Sequence, residues 1–423
     1  MGLVSLVVLV TVILAAYKCK VNTGLLGVAA AFLLGFALTV QTSGGEWVPI
    51  SSAAGKSALL IKGWSSGMFL TLLGVTFLFG IARANNTLLI LTQRLVALVG
   101  GRKWLLPIAI FGISFLISVI GPGPINGMAI IAPLAGQIAY QERINPLLMM
   151  LSVYTGNLAG GLTPISPSGY VALTYAAQGG VDIGYNLLLN MAVAFTILFV
   201  ISYVVFQGWK DNGSLHADGV NEMLPLERAN YITLAVIIAV ILAVVGANLH
   251  VGLTAMCGAV VLLILQVSTE KEALANVPWG TILMVCGMGV MVSMVNHAGG
   301  ITYLTDALIP YINDSTAAPI MIASGALMSS VASAMGVVMP TLIPVSIGIA
   351  HNLGLDPKMM VYSVVLGAHI SAISPFSSLG ALSLSSVHES VDKQQFFVKL
   401  IMTAIAFVII GTILTFLGLL LQY

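Results

Sequence analysis

Two stretches decide how this chain is read: YTGNLAGGLTPISPSG at Tyr154–Gly169 and VLGAHISAISPFSSLG at Val365–Gly380. Each sets a cluster of Gly, Ser, Thr and Pro inside a long apolar segment. Shifted onto one another, they bring Pro146, Met149, Ser152, Gly156, Pro164, Ser166 and Gly169 onto Pro357, Met360, Ser363, Gly367, Pro375, Ser377 and Gly380. An apolar helix interrupted at the same place in two related halves is the sequence mark of a secondary transporter's midplane binding site.

The composition agrees. Of 423 residues, 59% are hydrophobic and 7% charged, with mean hydropathy +1.06. Soluble domains carry about 25% charged residues, so an integral membrane protein in contact with the lipid bilayer is expected. The net charge of +1 gives no sign of a nucleic-acid partner, and none is expected. Cys19, Cys257 and Cys286 lie far apart without metal-ligand spacing and read as inert buried thiols. The opening MGLVSLVVLV lacks a basic leader region and reads as a retained first span.

Outward from the two breaks, apolar runs of spanning length occur at 3–17, 23–40 and 66–82, with a polar interval at 42–66. The stretch 87–99, carrying Gln93 and Arg94, reads as a helix lying in the interface. The run 104–140 is interrupted by Gly121-Pro122-Gly123-Pro124-Ile125-Asn126-Gly127, which forbids a continuous helix and predicts a re-entrant hairpin. The broken segment 146–177 and a span at 187–207 follow. Beyond Lys210–Arg228 the order recurs: spans at 230–247, 250–267 and 280–296, an amphipathic segment at 301–313, and a run at 318–350 interrupted by Ser329–Gly336. The broken segment 357–386 and a last span at 396–421 close the series.

This predicts an all-α polytopic fold of two inverted-topology repeats. Each has five spans, a re-entrant helical hairpin and a broken transmembrane helix. The first repeat is placed at 1–208, a cytoplasmic linker at 209–228 and the second repeat at 229–423. An odd number of crossings turns the second repeat over. With both termini outside, only Lys56, Lys62 and Lys358 of the 15 Lys and Arg fall outside, the bias that the positive-inside rule requires.

The breaks carry the chemistry. Thr163-Pro164 and Ser374-Pro375 read as N-cap followed by proline at the first helical position, so a half-helix is expected to start at each. Its N–H groups and positive dipole end would face a cavity, while carbonyls at Gly160-Gly161 and Ser371-Ala372 would be left free for a cation. No Asp, Glu, Lys or Arg falls within the core of a predicted span, which suits a small anion held by neutral donors, and sodium held by oxygens. The substrate set expected is Asn126, Gly127, Thr163, Ser166, Ser330, Ser333, Ser374, Ser377 and Ser378. The cation set is Gly121, Asn126, Asn157, Gly161, Ser329, Ser333, His369 and Ser371. Sodium is expected as coupling ion, with no other cofactor. No Ser/His/Asp set, metal cluster or phosphate loop points to an enzyme.

Hairpin, broken helix and span, twice over, resembles the ion transporter superfamily that includes the divalent anion/sodium symporters. Within it the sequence looks most like the MatC-type dicarboxylate (malonate) carriers. The symporters carry Ser-Asn-Thr at both hairpin tips; here the positions read Gly-Pro-Ile-Asn-Gly at 123–127 and Ser-Val-Ala-Ser-Ala at 330–334. The resemblance implies a sodium-coupled symporter for C3–C4 dicarboxylates in the cell (inner) membrane. It implies a homodimer with an elevator mechanism, with 1–66 and 229–296 mainly scaffold and 104–208 and 318–423 moving as the transport domain. A passive channel, uniporter or exchanger for small organic anions is the alternative.

Overall fold

The computed structural model describes residues 1–41, 45, 47–49, 58–97, 102–210, 224–247, 249–330 and 332–420. The linker expected at 209–228 lies, over 211–223, outside the described residues, as does Lys56.

The first half opens with α1 (Gly2–Cys19) and α2 (Thr23–Ala37), joined at Lys20 in the left-handed region and Asn22, whose side chain accepts from the Gly24 N–H. Beyond α2 the chain departs from the all-α expectation: β1 (Thr39–Gln41) pairs antiparallel with β2 (Trp47–Pro49), Val40 opposite Val48. Backbone groups past the end of α2 need partners, and a ribbon of β-branched residues supplies them. Then follow α3 (Ala58–Gly63), α4 (Ser66–Ala84), α5 (Thr87–Ala97) and two hairpin arms, α6 (Leu105–Ile120) and α7 (Gly123–Gln141). The broken helix is α8 (Pro146–Gly160) and α9 (Pro167–Gln178), followed by α10 (Asn186–Val205).

The second half repeats the order. It runs α11 (Arg228–Ala247), α12 (Val251–Ile264), α13 (Glu270–Ala275), α14 (Trp279–His297) and α15 (Gly300–Leu308). Its hairpin is α16 (Ala317–Ser329), a π turn at Ala334–Val338 and α17 (Met339–Leu353). Its broken helix is α18 (Pro357–Ile370) and α19 (Ser378–Ser386), and α20 (Lys393–Phe416) ends the chain. Both hairpins and both breaks stand where Gly, Ser and Pro interrupt the apolar runs.

Six helical segments among the described residues are long and apolar enough to cross a membrane, including Asn186–Val205, Arg228–Ala247 and Lys393–Phe416. α2 and α12, at 15 and 14 residues, fall short of the roughly 20 that a full span takes, against the expectation at 23–40 and 250–267. Leu38 turns the chain out of α2 into β1, and Gln266 in the left-handed region (φ 55) ends α12. Cys286 is buried as expected, whereas Cys19 and Cys257 are exposed.

The two short helices reveal the packing plan. α2 of the first half lies on α14 of the second, and α12 of the second lies on α4 of the first. Both crossings are seams of glycine. A Cβ on Gly287 would collide with the Gly24 backbone, and one on Gly74 with the Gly252 carbonyl. Backbones that close gain dispersion and interhelical contacts that lipid tails cannot replace. A second block forms from α6 on α8 and α16 on α18, with α9 against α17 and α19 against α7. At the base of the first hairpin, Lys103 Nζ lies 3.2 Å from Glu142 Oε2 and ties its two arms together. Tyr140, at the end of α7, stacks on His388 beyond α19 with ring centroids 3.5 Å apart.

The seams predict a matched pair of effects. Gly74→Ala and Gly287→Ala should each destabilise the protein by about 1–3 kcal/mol, as overpacking does. Gly112→Ala and Gly246→Ala, with nothing within 4 Å of the added carbon, should melt with the unmodified protein. Thermal unfolding in detergent reads both. Unchanged melting at Gly74 and Gly287 would remove the seams as the source of scaffold stability.

Candidate functional site

At each break one serine gathers the freed backbone. Ser166, not Thr163, caps α9: its hydroxyl accepts from Gly169 N (3.2 Å) and donates to the Gly161 carbonyl. Ser377, not Ser374, caps α19 in the same way, accepting from Gly380 N (3.2 Å) and donating to the Ala372 carbonyl. The expected caps thus move three residues along the chain. Gly169 and Gly380 decide it, because each lies so close to the carbonyl of residue 163 or 374 that a Cβ would collide with it. Thr163 Oγ1 instead accepts from Ser166 N at 3.2 Å, inside the turn. The Gly161 carbonyl, expected to be free for a cation, is already occupied by the Ser166 hydroxyl.

The hairpin turns are built differently from one another. In the first, Gly121 (φ 136) and Gly123 (φ 76) take conformations that L side chains avoid, and α7 starts at Pro122 without a side-chain cap. Asn126 Nδ2 donates to the Pro122 carbonyl at 3.1 Å. In the second, Ser333 is the cap, accepting from Gly336 N at 3.2 Å. A π turn follows because Pro340 has no N–H and its ring would press on the carbonyl four residues back; Val338 N reaches Ser333 O at 3.1 Å, one residue further than in an α-helix.

All four helix starts open on one central cavity of about 230 Å³. Pro124 and Ile125 come from the first turn of α7, Ser168 from α9, Ser333 to Met335 from the π turn, and Ser377 to Leu379 from α19. Ile13, Ala16, Thr23 and Met284 close it from the scaffold side. Among the described residues the lining carries no Asp, Glu, Lys or Arg. Helix N-termini present unpaired N–H groups and a partial positive charge, so the chamber is suited to a small anion.

Of the expected substrate residues, Ser333, Ser377 and Ser378 line this cavity. Asn126 lies beyond it, in an adjoining slot. Ser166 and Thr163 are spent within the break, and Ser374 is buried there. Ser330 donates to the Leu327 carbonyl at 2.6 Å and is not part of the lining. Gly127 packs on the Asn157 side chain, where a Cβ would collide.

The expected cation set divides in the same way. Ser329 and His369 line the cavity. Ser329 Oγ donates to the Ala368 carbonyl at 2.5 Å and Ser371 Oγ to the Ala326 carbonyl at 2.8 Å, tying α16 to α18. Asn157 accepts from Ser118 Oγ at 2.6 Å, and its buried Nδ2 has no partner among the described residues. Gly121 packs against Phe79. His369 Nδ1 lies 2.9 Å from the Val365 carbonyl, which can only accept, so Nδ1 carries a proton. The Tyr154 hydroxyl donates to the His369 carbonyl and fastens α8 to the end of α18.

Sequence reasoning missed Ser118 and Met335. Ser118 is the counterpart of Ser329 under the same shift that aligns the breaks, a signal that was available. Met335 has only its place beside Ser333 to recommend it.

Paired hairpins and paired broken helices, joined to glycine-seamed helices, form an all-α fold in which six helical segments among the described residues are long and apolar enough to cross a membrane. The chain has the fold of the Alcanivorax borkumensis YdaH transporter, with TM-score 0.58 and 14% identity over 95% of this chain and 98% of that one. It is likewise similar to MtrF of Neisseria gonorrhoeae, described as illuminating a class of antimetabolite efflux pumps. There the TM-score is 0.61 and identity 12% over 94% of this chain and 93% of that one. Residues 1–161 match the family model described as dicarboxylate carrier protein MatC N-terminus, so the resemblance to MatC-type carriers holds over that stretch. No curated protein matches the chain in sequence.

Ser378 offers a clean test, since it lines the cavity and caps nothing. Ser378→Ala should weaken binding of a small dicarboxylate by roughly ten- to a hundredfold, the worth of one hydrogen bond to a charged group. Ser330→Ala should leave that affinity unchanged. Titration of the purified variants with succinate reads both, and equal affinities throughout would place the anion elsewhere.

Proposed function

We propose that this protein is a sodium-coupled secondary active carrier for C3–C4 dicarboxylates such as malonate or succinate, working as a homodimer by an elevator mechanism in the cell (inner) membrane. The observation that carries the reading is the convergence of four helix starts on one cavity without charged side chains. At about 230 Å³ the cavity is smaller than the roughly 300–1,000 Å³ of drug-sized sites, which favours a small anion. The family match over residues 1–161 supports the dicarboxylate class.

Sodium is favoured over protons because, among the described residues, the cavity lining holds no carboxylate. Hydroxyl and carbonyl oxygens are the ligands a hard cation prefers. The elevator reading rests on the two packing blocks: glycine-seamed α2, α4, α12 and α14 as scaffold, and hairpins with broken helices as the moving body.

An inverted repeat is supported by which ends meet. The loop after α7 lies beside the loop after α19, with Arg143 and His388 lining one crevice. The equivalent end of α17 lies instead against Gly179, after α9. Single cysteines near Asp182 and near Glu270 should therefore label from opposite sides of the membrane. Labelling from one side only would refute the inversion.

The transport test is uptake into proteoliposomes across a panel of small mono-, di- and tricarboxylates, with and without a sodium gradient. Saturable dicarboxylate uptake that needs sodium is expected, and His369→Gln should retain an appreciable part of it. Uptake that survives sodium removal but collapses with a protonophore would reverse the coupling assignment. Flux without saturation would favour the passive channel.

A further inference from the structure

The central cavity does not extend evenly between the halves. Beside it lies a slot of only about 20 Å³, lined by Thr76, Asn126 and Thr281 among others. Pro124, Ile125, Ser168 and Met335 line both spaces, and the Ser168 hydroxyl lies 3.0 Å from the Met335 sulfur. These four residues form the wall between them, and the Ser168–Met335 contact closes it on the side of the second repeat.

This wall is built to move at one point. Met335 follows the cap Ser333 within the π turn, so its backbone is fixed while its side chain is unbranched and has three rotatable bonds. A thioether is a weak acceptor, so the contact to Ser168 holds it only lightly. The equivalent position in the first repeat is Pro124, which is rigid. Turning the Met335 side chain aside would join the slot to the cavity and bring Asn126 within the same chamber. After its bond to Pro122, Asn126 keeps one N–H to offer a second carboxylate.

We infer that Met335 sets the length of diacid that the site accepts. One carboxylate sits at Ser333, Ser377 and Ser378, and the carbon chain of a short diacid ends against the thioether. A longer diacid needs the methionine to leave Ser168 and its far carboxylate to reach Asn126. The inference rests on the dicarboxylate reading above, and its test separates the two.

Binding of malonate, succinate, glutarate and adipate to the purified protein should favour the shorter pair. Met335→Ala should raise the affinity ratio of adipate over succinate by about tenfold or more, the scale on which a pocket weighs single methylenes. Met335→Leu, which keeps the volume, should retain the original order. Met335→Val should fall between them, and serves if the alanine variant does not fold. Adding Asn126→Ala to Met335→Ala should cancel the gain for adipate and leave succinate untouched. If the unmodified protein binds none of the four, the dicarboxylate reading fails. If it binds succinate and the ratio is the same in the alanine, valine and leucine variants, Met335 is not the ruler.

Discussion

Everything in this molecule depends on how two breaks in buried apolar helices satisfy their backbone. A carbonyl or N–H left bare in an apolar medium costs several kcal/mol, so a helix can stop at that depth only if something takes over its hydrogen bonds. Ser166 and Ser377 do so, each donating to the last freed carbonyl of one half-helix and accepting from the first turn of the next. Remove either hydroxyl and a donor and an acceptor are orphaned together. Because these serines fix where α9 and α19 begin, they also fix where the N–H groups at their starts point. The chemistry of the cavity thus follows from the repair of the backbone.

The hairpins, the breaks and the repeated order of elements were legible from the sequence because Gly, Pro and Ser cluster there, whereas elsewhere in the apolar runs they come singly or as small packing residues. The registers of the caps were not. Thr163-Pro164 and Ser166-Pro167 offer the same cap-then-proline signal, and only the tight approach of Gly169 to the preceding turn separates them. In the second repeat the proline misled outright, since the true cap, Ser377, precedes another serine. The site list suffered for the same reason: Thr163, Ser166 and Ser374 are the hydroxyls that build the turn, whereas those that face the cavity come at or after the cap. Met335 was invisible because an apolar residue in an apolar run carries no local mark. The β1–β2 ribbon lies in an interval with no hydrophobic period to read.

The scaffold obeys a different logic from the site. Its helices meet through paired glycines, and its two short members, α2 and α12, reach across to the opposite half. Neither half can close its own scaffold, so each completes the other. The hairpins behave in the same way, with α7 packed on α19 and α17 on α9.

The likeness of the two halves stops at the cavity wall. Where the second repeat has Met335 and Ser378, the first has Pro124 and Pro167, and proline has no N–H to give. A chamber that looks two-fold in its backbone therefore offers different first-turn groups on its two sides. An unsymmetrical guest with one more strongly charged end meets a preferred orientation rather than two equal ones.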